Sequence, residues 1–162
     1  ALRIYMHNVS NKDSLQKALI LLDSAIFLRK DKNFYTNKYI VARRLGQYTL
    51  ALASCDSILA VDHNDFFATL HKGYIFEDMN HTDSQNSYYS KAYSLLDSSR
   101  AWQSANMVRD REKIILKGLL KDTVAYRQMV DVFIVKYDTS KVYKGIANEF
   151  STFDRDRFLE RF

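Results

Sequence analysis

The chain has 162 residues, 47% hydrophobic and 27% charged, enough apolar content to bury a core and too much for a disordered segment. It has no proline and four glycines, which argues against a β-sandwich or an α/β enzyme, whose turns and phosphate loops draw on both. The formal charge is +5, with most of the excess in residues 99–162, where acids are interleaved with the bases. That is the pattern of a solvated surface rather than of a clustered nucleic-acid footprint.

The single cysteine, Cys55, excludes an intramolecular disulfide. No apolar run reaches the roughly 18–20 residues that span a bilayer; Ala18 to Leu28 comes nearest, and Asp23 and Ser24 interrupt it. The chain opens on Ala1 with no visible signal peptide, so a removed leader or flanking domain is expected. The expected location is cytoplasmic, or periplasmic or otherwise extracytoplasmic if a leader or anchor was removed.

In chain order, apolar spacing predicts helices at 1–9, 14–29, 33–45, 48–61, 65–79 and 84–97. In the second, residues 18, 19, 21, 22, 25, 26 and 28 form a broad apolar stripe that needs neighbours on two sides. Gly46 falls between two periodic segments, where a helix end calls for a left-handed residue. Asp13-Ser14 and Thr82-Asp83-Ser84 read as N-cap regions. After Ser99 the character changes. Residues 100–120 read as one helix with Trp102, Ala105, Val108, Ile115, Leu116 and Leu119 apolar. Residues 122–137 read as another. The tail 141–162 holds one or two short helices whose Phe face is expected to dock on 122–137 as a cap, rather than to form a basic amphipathic surface.

Two of these segments are copies. Leu15–Leu28 reads LQKALILLDSAIFL and Tyr48–Val61 reads YTLALASCDSILAV. At a gapless offset of 33, Ala18 meets Ala51, Leu22 meets Cys55, and Asp23-Ser24 meets Asp56-Ser57. A third copy, offset by a further 34, aligns Cys55 with Tyr89, Ile58 with Ala92 and Gly46 with Asn80. It departs at Gln85, where the earlier copies carry Ala18 and Ala51. A glutamine there would crowd a close helix contact.

The small-bulky-small spacing of Ala18, Leu22 and Ala25, repeated in Ala51, Cys55 and Ile58, resembles the second half of a tetratricopeptide (TPR) motif. The resemblance covers about three degenerate repeats over residues 1–98. Lys30, His63 and Asp97 stand near the place of the usual terminal proline, and the first helices keep the large-then-small pair poorly, at Lys38-Tyr39 and Lys72-Gly73. The resemblance implies an all-α, right-handed α-solenoid of antiparallel helix pairs. Residues 1–98 would form the repeats, and 99–162 a degenerate repeat plus a C-terminal helical cap on the same solenoid.

It also implies a concave groove lined by the first helix of each pair. The positions that match are Arg3 and His7, then Asn37, Ile40 and Arg44, then Phe67, His71 and Tyr74. Some family members hold a partner's terminal carboxylate there with Lys, Asn and Arg. Phe67 stands where a Lys is expected and two matches are His, so that clamp is degraded. Packing between repeats is the competing role for Phe67 and Tyr74.

No phosphate loop, nucleophile elbow or H-E-x-x-H occurs, and no histidine pair has i,i+4 spacing. Cys55 reads as a small buried hydrophobe, and Glu77-Asp78 as a solvated helix end. We therefore expect no catalytic residue, metal site or cofactor. The expected function is a non-catalytic scaffold that binds a peptide or helix of a protein partner, with no small-molecule substrate. The alternatives are a structural or oligomerisation module, or the regulatory sensor half of a larger signalling or transcription-regulating protein.

Overall fold

The structure, a computed structural model, describes residues 11–98 and 106–137, with 150, 153–154 and 158–159. The expected helix at 1–9, the start of the expected helix at 100–120 and most of the tail lie outside the described residues. Seven helices are found among the described residues, and no strand. They are α1 (Lys12–Leu28), α2 (Lys32–Arg44), α3 (Tyr48–Leu59), α4 (Phe66–Asp78), α5 (Thr82–Ser98), α6 (Asn106–Leu119) and α7 (Thr123–Tyr137). The chain divides into two compact units, Ala1–Ile75 and Phe76–Phe162. The division falls inside α4, whereas the copies cease to align in sequence after Asp97.

In the first unit α1 packs on α2, and α2 on α3. The α1 helix starts one residue after Asn11, whose side chain accepts the Asp13 N–H at 2.9 Å, earlier than the Asp13-Ser14 expectation. Its inward face is Leu15, Leu19 and Leu22. The α2 helix contributes Tyr39, Val41 and Ala42 to the core, and α3 contributes Ala51, Cys55 and Ile58. Ala42 and Ala51 have no exposed surface. Having no side chain beyond Cβ, they let the α2 and α3 backbones approach closely.

In the second unit α5 packs on α6, and α6 on α7. Tyr89, Ala92 and Leu96 of α5, Ile114, Leu116 and Leu119 of α6, and Phe133 of α7 form its interior. The described tail residues join it. Phe150 sits edge-on to Phe133 at 5.5 Å, and its carbonyl accepts from the Tyr126 hydroxyl at 2.6 Å. Phe153 lies 5.5 Å from Tyr126, over a bare Gly118.

Two devices recur along the chain. One is the reversal between paired helices. Gly46, Asn80 and Lys121 all have positive φ, at 70°, 58° and 58°. In each case the next N–H reaches a carbonyl five residues back: Gln47 to Ala42, His81 to Phe76 and Asp122 to Lys117, at 2.9, 2.8 and 3.0 Å. This is the Schellman ending, which satisfies carbonyls that the helix itself leaves open. The other is an ion pair from one helix to the following one: Asp23 to Lys38, Asp56 to Lys72 and Asp97 to Lys113. In all three the lysine is nearly buried and the carboxylate is 58% exposed. The aliphatic stem lies along the helix contact while the charge reaches outward to its partner. The third pair comes 41 residues after the second, and most of that extra spacing comes from α5, which runs 17 residues where α3 runs 12.

Candidate binding face

The first unit brings α2 and α4 together through three contacts in ascending order. Lys32 pairs with Asp65, Tyr39 stacks on His71, and the Arg43 guanidinium lies 5.5 Å over the Tyr74 ring. Contacts in the same order on both helices mean that the two run parallel, side by side. Asp65 anchors the start. It is 6% exposed, and it accepts the Ala68 N–H at 2.8 Å through Oδ1 while Oδ2 takes Lys32. A carboxylate so placed caps α4 and favours its positive N-terminal dipole.

His71 sits at the centre. Its ring stacks on Tyr39 at 4.3 Å with 13° between planes, and Phe67 and Tyr74 lie 6.4 and 6.1 Å away. Its Nδ1 is buried with no hydrogen-bond partner among the described residues. Burial, reinforced by the positive charge of Arg43, pushes the imidazole down to about 4. His71 is therefore a neutral ring at neutral pH. With Nδ1 unpartnered, its proton is better placed on Nε2, since a buried N–H without an acceptor costs more than an idle lone pair.

Of the residues read from sequence, the structure gathers Asn37, Ile40, Arg44, Phe67, His71 and Tyr74 onto these two helices. Asn37 and Ile40 are half-buried, Arg44 is exposed and Phe67 is 45% exposed. Tyr74 is 2% exposed beneath Arg43, so its ring serves packing. Arg3 and His7 lie outside the described residues. Sequence reasoning passed over Tyr39 and Arg43, which make the cross-helix contacts. Their i,i+4 spacing on α2 was the available signal.

Between them α2 and α4 carry an exposed aromatic ring, an exposed guanidinium, a half-buried amide and a neutral imidazole. The α2 helix supplies Lys32, Lys38, Arg43 and Arg44 and has no acid. Nothing in this set activates a nucleophile. Cys55 has no exposed surface, and burial pushes its thiol up to about 12, so it stays protonated. Among the described residues no group of three or more His, Cys, Asp or Glu is placed to hold a metal ion, and no helix is long and apolar enough to cross a membrane. In comparison with known proteins, no family model, curated protein or solved structure matches this chain.

Proposed function

We propose that the protein is a non-catalytic scaffold of TPR-like helix pairs, which binds a peptide or helix of a partner protein on the face built by α2 and α4. The observation that carries this reading is the parallel register of those two helices, set by Lys32 to Asp65, Tyr39 to His71 and Arg43 to Tyr74. The recurring Schellman turns and Asp-to-Lys pairs support a repeated antiparallel helix pair, and the right-handed solenoid rests on the resemblance in sequence. Phe67 would anchor the ligand, Arg44 and Asn37 would orient it, and Ile40 would line the floor.

Selection of a displayed random-peptide library tests this. The wild type should enrich a consistent motif, and Phe67→Ala combined with Arg44→Glu should abolish the enrichment, both side chains being exposed enough to change without unfolding the chain. Equal enrichment by the double variant would place the ligand elsewhere.

A structural or oligomerisation role is the second reading. It is favoured by α1, whose Ile20, Leu21, Phe27 and Leu28 are between 66% and 91% exposed along one side of the helix. A solution mass that doubles with concentration in the wild type and not in Phe27→Ser would favour that role.

A further inference from the structure

The α7 helix buries Val130 and Phe133 in its own unit. Its other side carries three more valines. Val124 is 66% exposed, Val132 64% and Val135 83%. With exposed Gln128 they follow one another at spacings of four, four and three, which aligns them as one stripe along the helix. Valine loses side-chain freedom in a helix and is a poorer helix former than Ala, Lys or Glu. Three valines facing solvent therefore weaken α7, unless something covers the stripe.

The charges beside the stripe indicate what covers it. Arg127 and Asp131 lie along one edge, one turn apart, and both are exposed. Neither has an ion-pair partner among the described residues, and base before acid is the less favourable order for pairing within a helix. The two charges and the stripe share a centre near Met129. A second α7 laid antiparallel about a two-fold axis at that centre sets each Arg127 beside the other's Asp131. It also sets each Val124 against the other's Val135. A parallel pair would set Arg127 beside Arg127. A patch that complements itself in this way is what an interface between identical chains requires.

We propose that α7 pairs antiparallel with the α7 of a second copy of this chain, through the valine stripe and two Arg127 to Asp131 ion pairs between the copies. A helix of 15 residues is about 22 Å long. One such helix on each side covers less than the roughly 1,200–2,000 Å² of stable complexes, so the dimer is weak and forms at high concentration. This surface is separate from the α2 and α4 face and from the exposed side of α1, and self-association through it goes beyond peptide binding.

Sedimentation equilibrium of the intact chain, from about 10 µM to about 1 mM, tests the proposal. The wild type should pass from monomer to dimer with a dissociation constant on the order of 100 µM. Arg127→Asp and Asp131→Arg each bring like charges together at both contacts and should each weaken association tenfold or more. An equimolar mixture of the two variants restores unlike charges at both contacts and should dimerise as the wild type does. All the altered side chains are exposed, and circular dichroism of each variant should match the wild type. Four results would overturn the proposal: a wild type that stays monomeric at the highest concentration; undiminished association in the single variants; a mixture that stays monomeric; or association lost in Phe27→Ser and kept in both α7 variants, which would assign it to α1.

Discussion

The first turns of α3 and α5 occupy equivalent places in successive helix pairs and are built in opposite ways. At α3, Ala51 has no exposed surface and the neighbouring backbone closes on it. At α5, Gln85 is nearly as buried, yet it faces a cavity where solvent satisfies its amide. The fold accepts both because the devices that hold each pair lie elsewhere. The Schellman reversal fixes the exit from the preceding helix, and the Asp-to-Lys tie fixes the entry to the next. Tight packing at the first turn is therefore a local choice, and the third copy gives it up for a polar opening.

Exchanging the two residues tests this contrast hardest. Ala51→Gln forces a long polar side chain into a closed contact and should cost about 3 kcal/mol or more. Gln85→Ala removes an amide that solvent satisfies and should stay within about 0.5 kcal/mol of the wild type. Urea unfolding of both variants measures the difference, and equal losses would mean that the two first turns are packed alike.

The next largest effect falls on the tail of the second unit. A Cβ added at Gly118 would lie 2.6 Å from Cε1 of Phe153. Gly118→Ala should displace that ring and cost about 1–3 kcal/mol. In the same variant the Tyr126 ring signals should shift, because Phe153 packs against Tyr126.

A pH titration separates the first unit from the second, because His71 belongs to the first. Burial and Arg43 hold its imidazole at about 4, against about 6.5 when unfolded. Between those values the unfolded chain takes up a proton that the folded chain refuses, so stability falls as the pH drops from about 7 towards 4. His71 as a residue is half-buried, which keeps the loss to about 1–3 kcal/mol. His71→Phe keeps the stack on Tyr39 and should flatten that part of the stability profile. An unchanged slope would mean that the ring is solvated.

The smallest effects come from the turns. Gly46 adopts φ 70° without strain, while Asn80 and Lys121 adopt 58° with a side chain. Gly46→Ala should cost about 1 kcal/mol, and Lys121→Gly should stabilise by about 0.5–1 kcal/mol. Thermal melts of the two variants should move in opposite directions.

Helix positions were legible in the sequence because apolar spacing and Gly46 marked them to within a few residues. Gln85 was also legible as a departure from its own repeat, though the cavity beside it was not, since its lining includes Leu119 and Leu120, at and just past the end of a helix with no aligned copy. The turn at Lys121 and the Asp97 to Lys113 tie stayed hidden for a related reason. The added length of α5 moves them to an offset of 41, and no glycine announces the turn. Tyr39 and Arg43, which tie α2 to α4, stand one position before Ile40 and Arg44, and nothing in the apolar spacing of α2 singles them out. One residue is about 100° around a helix, so the residues that join α2 to α4 and those proposed to meet a ligand lie on adjoining faces of α2.

The account rests on α2 and α4 lying parallel with Tyr39 against His71. A nuclear Overhauser spectrum of the intact protein examines that contact directly. Ring protons of Tyr39 should show strong cross-peaks to the His71 imidazole, with weaker ones from Phe67 to His71. A folded protein in which the Tyr39 and His71 signals are resolved and share no cross-peak would contradict the register, and with it the proposed binding face.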